Sequence, residues 1–160
     1  MKILTTVNSH SIQVSDEDYI YLLGFSWFGK IENGVRRAVT CSIKDKTHQM
    51  SRMILKRRGI IFKHEVDHKD RDQFNNQFEN LRPATRSQNQ MNRKVQSNNI
   101  TGYKGVCFDT RADKYAARIT VNKYRIQLGY YLDPTEAAKA YDLAAKKYFG
   151  EFAWLNFPQT

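Results

Sequence analysis

Residues 105–150 carry the most regular pattern in the sequence, and it restricts this part of the chain to a small sheet covered by a helix. Short strands are predicted at residues 105–109, 114–121 and 124–130, the last two joined tightly at Asn122-Lys123. Apolar and polar side chains alternate along the second and third strands, which is typical of a sheet with one buried face. The predicted buried face consists of Tyr115, Ala117, Ile119, Val121, Tyr124, Ile126 and Leu128. The opposite face consists of Lys114, Ala116, Arg118, Thr120, Arg125 and Gln127.

The segment after the third strand has the start and stop signals of one helix. Asp133 is placed to cap it, Pro134 takes the first helical position, and Gly150 ends it. Glu136 has the spacing of a capping box. A stripe at helical spacing, which we expect to pack on the apolar sheet face, consists of Ala137, Tyr141, Ala144, Ala145 and Tyr148.

The first half of the chain is less regular. Ile12 and Val14 indicate a short strand, and Ser15 with the acidic residues after it predicts a capped helix start. Further predicted elements are strands at 25–28 and 37–43, around the turn signal Glu32-Asn33-Gly34, and a short helix at 50–55. The polar stretch 94–99 is typical of a linker. The fold class predicted is therefore α+β, with one domain at 1–96 and another at 97–160.

The charge of the chain indicates a polyanionic partner. Its formal net charge is +10, and no acidic residue occurs between positions 80 and 108. Such an excess raises the local potential toward nucleic acid. Within and beside this acid-free stretch, Arg86, Arg93 and Lys94 are candidate DNA contacts. A membrane is the weaker interpretation, because no apolar run approaches the roughly 20 residues needed to span one and the start lacks a signal-peptide core.

The two cysteines restrict the kinds of site that are expected. Cys41 and Cys107 lie far apart, and the sequence has no CxxC motif. This argues against a disulfide scaffold and against a four-ligand zinc site, and it favours a reducing cytoplasm.

A constellation in the middle of the chain predicts phosphodiester chemistry. Asp67 and His68 are adjacent, Asn80 follows His68 by twelve residues, and Asn89 follows Asn80 by nine. Hydrolysis of a phosphodiester needs a base to deprotonate water and a cation to neutralise the growing charge. Histidine supplies a base near neutral pH, and carboxylate and amide oxygens suit a hard ion such as magnesium. Adjacent residues on one strand point to opposite faces, so one can hold metal while the other meets the water.

These residues resemble the motif of the HNH endonucleases, in the phage and homing branch whose last motif residue is Asn. The resemblance rests on Val66-Asp67-His68, Glu79-Asn80-Leu81-Arg82 and Ala84-Thr85-Arg86-Ser87-Gln88-Asn89. It implies a ββα-metal module at about residues 64–94, built as strand, loop, strand and helix around one divalent ion, magnesium or alternatively manganese. It also implies that Asp67 and Asn89 are metal ligands, that His68 is the general base, and that Asn80 braces the loop and orients the base.

The sequence departs from that family at two places near the motif. Relatives often have His-Arg-Leu-Ile where this chain has Ser51-Arg52-Met53-Ile54. Relatives favour Asn-Gly-Asp after the Asp-His pair, where this chain has Asp70-Arg71-Asp72. The loop is therefore expected to differ in shape from a tight glycine turn.

Residues 99–158 resemble the Apetala-type (ethylene-response-factor) DNA-binding domain. The matching motifs are Gly102-Tyr103-Lys104-Gly105-Val106, Tyr115-Ala116-Ala117-Arg118-Ile119, Leu128-Gly129-Tyr130, the run 136–145 and Asn156-Phe157-Pro158. That family lays a three-stranded sheet in the major groove with the helix behind it, and arginine can read guanine edges there. The resemblance implies DNA contacts from Lys104, Arg111, Lys114, Arg118, Thr120, Arg125 and Gln127.

Together these features predict a metal-dependent, site-specific DNA endonuclease of the homing type that nicks double-stranded DNA. It is expected to act as a monomer and without a small-molecule cofactor. The expected location is the cytoplasm of a bacterial or phage-infected cell. The alternative is a sequence-specific DNA-binding regulator whose nuclease module is inactive or structural. RNA binding is a weaker third interpretation, because the second sheet lacks paired aromatic platforms for stacking bases.

Overall fold

The computed structural model describes residues 1–95 and 98–158. Small sheets and a few helices give a mixed α and β architecture, which divides into two compact units, Met1–Asn89 and Gln90–Thr160. The predicted linker and domain boundary include Gln96 and Ser97, which lie outside the described residues, so the boundary after residue 96 stays a prediction. In the described part of the chain, no helix is long and apolar enough to cross a membrane.

The first unit contains three small sheets, two complete α-helices and the first part of a third α-helix. Its strands are β1 Lys2–Thr5, β2 Ser11–Val14, β3 Phe28–Glu32, β4 Val35–Ile43, β5 Lys46–Gln49, β6 Glu65–His68, β7 Asn75–Asn76 and β8 Leu81–Ala84. Its helices are α1 Asp16–Leu22, α2 Met50–Arg57 and α3 Arg86–Met91, the last of which runs into the second unit. The sheet orders are β1-β2-β7, β3-β4-β5 and β6-β8.

The first unit has one apolar core that lies beneath the predicted nuclease motif. Its largest fully buried side chains include Trp27, Phe74, Ile12, Leu22 and Met50. The Trp27 indole donates to the Leu22 carbonyl at 2.8 Å, which satisfies its only polar atom. Because Phe74 lies in the loop between β6 and β8, the loop is packed against the same core as the strands of the unit.

The predicted nuclease motif forms a strand, a loop, a second strand and a helix. β6 pairs antiparallel with β8, with Asp67 opposite Arg82 and His68 opposite Leu81. The loop between them contains β7, which pairs in parallel with β2 and ties the loop to the N-terminal sheet. The helix α3 begins two residues after β8.

The second unit is a three-stranded antiparallel sheet packed on one helix. Its strands are β9 Val106–Asp109, β10 Lys114–Val121 and β11 Tyr124–Tyr131, in the order β11-β10-β9, and its helix is α4 Pro134–Phe149. Ala117 on β10 packs in one cluster with Ala137 and Ala138 of α4. Ile119 on β10 packs in a second cluster with Tyr141 of the same helix. A bulge between Ala117 and Arg118 shifts the register with β11, a feature absent from the sequence prediction.

The cap of α4 forms as predicted, but the capping box does not, because the Glu136 carboxylate accepts from Lys139 Nζ at 2.8 Å instead. The Asp133 carboxylate accepts a hydrogen bond from the Thr135 N–H at 2.7 Å, and Pro134 takes the first helical position. Gly150 lies at the end of the helix with a φ of +53°. That left-handed conformation favours glycine, which explains why the helix ends there.

Four other details of the prediction are wrong. The strand expected at 25–28 forms instead at Phe28–Glu32. Tyr148, expected in the core, is 42% exposed, because Phe149 with Ala153 and Leu155 packs on the cluster instead. Tyr124 is 78% exposed at the hairpin end, beside the turn. The Ser15 hydroxyl does not cap α1: it accepts from the Phe78 N–H at 2.8 Å, and thus joins the helix start to the loop before β8.

Candidate active site

His68 is held by the loop between β6 and β8. It lies at the end of β6, is 3% exposed, and its Nε2 is 3.2 Å from the Asn76 amide oxygen. Burial lowers the pKa of His68 below the usual range of histidine, and the Asn76 hydrogen bond and nearby aspartates oppose this shift only in part. The imidazole is therefore neutral at neutral pH, which is the form that can accept a proton.

Asn80 braces the loop that leads away from His68. Its amide oxygen accepts from the Asp70 N–H at 3.1 Å, and its Nδ2 donates to the Asp70 carboxylate at 2.9 Å and to the Asn75 carbonyl at 2.7 Å. Its backbone carbonyl accepts from the Lys69 N–H at 2.9 Å. The side chain thus closes the loop from one end to the other, whereas the contact to the imidazole comes from Asn76.

Asp67 points to the other face of β6 from His68. Its carboxylate accepts from Arg82 Nε at 2.8 Å and Nη2 at 2.6 Å, and it is 4% exposed. The pair joins β6 to β8 directly across the register. A buried carboxylate requires such a partner, because an unpaired buried charge is costly.

Asn89 lies on α3 and reaches back to β6. Its Nδ2 donates to the Glu65 carboxylate at 2.7 Å. Glu65 lies two residues before Asp67 and is exposed. The structure therefore places a carboxylate beside Asn89 that the motif analysis did not include.

A cleft of about 480 Å³ runs along this part of the first unit. His68, Asn76, Asn89 and Glu65 line it, whereas Asp67 does not. Four arginines also line the cleft: Arg36, Arg37, Arg52 and Arg71. Arg36 and Arg37 pair with Asp72 and Glu32, so part of this positive charge is balanced. The lining itself contains a single carboxylate, Glu65, and four guanidinium groups of the kind that bind phosphate oxygens.

Arg71 adopts a left-handed backbone conformation inside this loop, with a φ of +67°. Its N–H donates to the His68 carbonyl at 2.8 Å, which makes a tight turn directly after β6. The sequence predicted that the loop would lack a tight turn because Arg71 stands where relatives favour glycine. That prediction is wrong, because Arg71 itself adopts the left-handed conformation that the turn requires.

Oxygen donors on β6 and α3 suit a hard divalent ion in their chemistry, although Asp67 does not line the cleft. The candidates are the carboxylates of Asp67 and Glu65 and the amide oxygen of Asn89, and magnesium prefers such ligands while keeping several waters. Among the described residues, no group of three or more His, Cys, Asp or Glu side chains is arranged to hold a metal. The predicted ligands Asp67 and Asn89 each bond another side chain, Arg82 and Glu65.

On the second unit, five of the predicted DNA-facing residues lie on two strands: Lys114, Arg118 and Thr120 on β10, and Arg125 and Gln127 on β11. Arg111 lies in the turn between β9 and β10. Arg118 donates to the Gln127 amide oxygen at 2.8 Å and to the Asp109 carboxylate at 2.9 Å, and Gln127 donates to the Gly129 carbonyl at 2.8 Å. The exposed members of the predicted set are Arg111, Lys114, Thr120, Arg125 and Gln127, together with Arg86, Arg93 and Lys94 elsewhere in the chain.

Lys104 departs from the predicted arrangement. Its ammonium donates to the carbonyls of Met91 at 2.5 Å and Arg93 at 2.8 Å. It therefore caps the end of α3 and its following turn, and its charge is partly used within the unit.

Sequence reasoning missed Asn76, Glu65 and the cleft arginines before β6. Asn76 was hidden because the loop packing, and not the spacing of the motif, brings it to His68. Glu65 directly precedes the Val66-Asp67-His68 motif, and its two-residue offset from Asp67 was the available signal.

Comparison with known proteins finds two similarities, one of which includes the residues of this site. Residues 28–91 match a family described as HNH endonuclease, and this segment includes all of Asp67, His68, Asn80 and Asn89. The chain is also 36% identical over 91 residues to a protein of Acanthamoeba polyphaga mimivirus named "Uncharacterized HNH endonuclease L560". The similar region covers 57% of this chain and 46% of that protein, so the chain spans about half the length of the relative it matches.

Proposed function

We propose that this chain is a metal-dependent endonuclease of the homing type that nicks double-stranded DNA at a specific site. The observation that carries the proposal is a buried His68 at the wall of an arginine-lined cleft, inside the segment that matches an endonuclease family. Neither a basic surface nor a histidine alone would indicate hydrolysis, but a base and a phosphate-binding cleft together supply two of its requirements.

Different residues in and beside the cleft would have different roles in phosphodiester hydrolysis. The arginines bind the phosphate oxygens and restrict the position of the scissile bond. His68 takes the proton from the attacking water, and Asn80 keeps the loop after β6 in place. A divalent ion, magnesium or manganese, would be held by Asp67 and Asn89 and would neutralise charge that develops on the phosphate.

The second unit would supply the site specificity. Its polar sheet face carries arginines, a threonine and a glutamine, which are donors suited to base edges and phosphates. The bonds from Asp109 and Gln127 hold the Arg118 guanidinium in one orientation, which lowers the entropy cost of contact with a base.

The test is cleavage of supercoiled plasmid with magnesium, with manganese and with a chelator. We expect nicked product only with a metal present. His68→Ala should lower cleavage by roughly 100-fold or more, the range for loss of a general base, while binding of DNA is kept. His64→Ala is the matched control, because His64 is an exposed histidine four residues earlier, and it should cleave at the parent rate.

Binding without cleavage by the parent protein in either metal would instead support a DNA-binding regulator with an inactive nuclease module. Cleavage that persists in the chelator would exclude the metal.

A further inference from the structure

Asn76 makes two hydrogen bonds that fix its amide in one orientation. Its Nδ2 donates to the Gln73 carbonyl at 3.0 Å, and its Oδ1 is 3.2 Å from His68 Nε2. The side chain is 1% exposed, so its contacts are made without competition from bulk water.

The orientation follows from the chemistry of the Gln73 carbonyl. A backbone carbonyl only accepts, so the atom of Asn76 that faces it must be the amide nitrogen. A flipped amide would put two acceptor oxygens against each other in a buried place. The oxygen of Asn76 therefore faces His68.

The amide oxygen also only accepts, so His68 Nε2 must carry a hydrogen. In a neutral imidazole the proton on one nitrogen leaves the other as the acceptor. The Gln73 carbonyl, through Asn76, therefore determines which nitrogen of His68 carries hydrogen and which is left as the acceptor.

We infer that Asn76 is a positioning residue that holds His68 as the Nε2–H tautomer and so makes Nδ1, a buried atom in the free protein, the nitrogen able to accept a proton. The proton-transfer part rests on the proposed function, whereas the tautomer does not. A proton transfer from water to Nδ1 would break a water O–H bond and form an Nδ1–H bond, and the imidazolium would keep its Nε2–H···O bond to Asn76. Asn80, expected to orient the base, bonds Asp70 and Asn75 with its side chain instead.

The primary test needs no variant of Asn76. Two-bond ¹⁵N–¹H correlation spectra of the full-length ¹⁵N-labelled protein, recorded above the pKa of the imidazoles, show which nitrogen of each histidine carries hydrogen. The four histidines give four patterns, and the His68 pattern is identified by its loss in His68→Gln. A protonated Nε2 with an unprotonated Nδ1 is expected, and the reverse pattern overturns the inference.

Variants then separate positioning from packing. Asn76→Leu keeps a similar volume but removes the acceptor, so the His68 Nε2–H should lose protection from exchange with water. Cleavage should fall in kcat by roughly 10- to 100-fold, the range for partners that orient a functional imidazole, with KM for DNA little changed. Asn76→Asp keeps an acceptor and should restore the Nε2–H signal, and with it a substantial part of the rate.

Gln73→Ala is the matched control for the tautomer, because it retains the carbonyl that anchors the Asn76 amide. Its His68 pattern should equal that of the parent, and a change would overturn the anchoring argument. An Asn76→Leu protein that folds, keeps its protected Nε2–H and cleaves at the parent rate also overturns the inference. Failure of the parent protein to cleave DNA would count against the proposed function alone, since the NMR pattern is read without DNA.

Discussion

At the scale of single residues, Arg71 shows how strain and charge meet in the cleft. A left-handed conformation costs a non-glycine residue about 1–2 kcal/mol, and Arg71 holds it with a φ of +67°. Burial also lowers the pKa of its guanidinium, which indicates an environment that is unfavourable to charge. Both the backbone conformation and the burial of Arg71 are unfavourable to stability. Binding of a phosphate in the cleft would explain why a charged side chain is present there.

We expect Arg71→Gly to separate stability from activity. Relief of strain offsets the entropy that glycine adds to the unfolded chain, so the free energy of unfolding should stay within about 1 kcal/mol of the parent. Cleavage should fall, because one of the four cleft arginines is lost. Denaturant unfolding and plasmid nicking on the same samples measure the two effects, and Arg71→Ala, which keeps the strain, is the control. Unchanged nicking by the glycine variant would remove Arg71 from the phosphate site.

Asp67 has a structural partner as well as a predicted catalytic role. Asp67→Asn removes the carboxylate from a buried ion pair with Arg82. Loss of one partner typically lowers the free energy of unfolding by about 3–5 kcal/mol. Urea unfolding should show this loss, whereas Glu65→Gln, at an exposed position, should unfold like the parent. A stable Asp67→Asn protein without cleavage would instead assign the residue to the metal alone.

At the scale of elements, the approach of α4 to the chain before β9 depends on Gly105. A Cβ built there would lie 1.9 Å from the Tyr141 ring, and the φ of Gly105 is +77°. Gly102 has a similar φ of +74° but no atom within 4 Å of its Cβ position. The two glycines therefore share the backbone requirement and differ in the space available.

Replacement of each glycine by alanine should separate these two effects. Gly102→Ala should cost about 1 kcal/mol of unfolding free energy, from the backbone alone. Gly105→Ala should cost a further 1–3 kcal/mol or so, because Tyr141 must move. Thermal or denaturant unfolding, followed by tyrosine signals of the second unit, measures the difference. Equal losses of unfolding free energy in the two variants would mean that Tyr141 can move aside without lowering stability.

The exposed face of the second sheet carries the prediction about specificity. Arg118→Ala or Arg125→Ala should weaken binding to the preferred site by about 1–3 kcal/mol, with little effect on random DNA, if each reads a base. Lys146→Ala on α4, on the other side of the sheet, removes the same charge as a control. Equal losses on both DNAs would identify phosphate contacts, and no loss would leave the face without a role in binding.

The elements that the sequence predicted well are those whose signals are local. The strand at 114–121 and the capped start of α4 agree with the structure, because alternation and capping act over a few residues. Ser15 was misassigned because its partner, Phe78, is distant in sequence, and Tyr148 because Phe149, with Ala153 and Leu155, takes the place on the cluster that the periodic pattern gave to Tyr148. The same holds in the cleft: motif spacing selected His68 and Asn80, but Asn76 reaches the imidazole through loop packing around Phe74.

At the scale of the whole molecule, charge and site number both bear on how DNA is cut. The net charge of +10 predicts binding that weakens steeply with salt, since each phosphate contact releases counterions. It also predicts that the protein associates with DNA of any sequence before a preferred site is found. Specificity then has to come from differences in contact at the site, and not from the overall attraction.

A single protein molecule should nick one strand. The chain has one set of Asp67, His68, Asn80 and Asn89, and its sequence contains no internal repeat that would provide a second. The strands of a duplex are antiparallel, so cutting both requires a second site related by two-fold symmetry, or release and reorientation of the first. One DNA-reading sheet would recognise an asymmetric site, and it would therefore present the same strand to the cleft in every binding event. A duplex labelled separately on each strand, cut by limiting protein whose mass in solution is measured in parallel, tests this directly. We expect cleavage product from one strand and a monomeric mass. Cuts on both strands within one binding event by a confirmed monomer would contradict this prediction. The same cuts by a dimer would show that two chains supply the two sites.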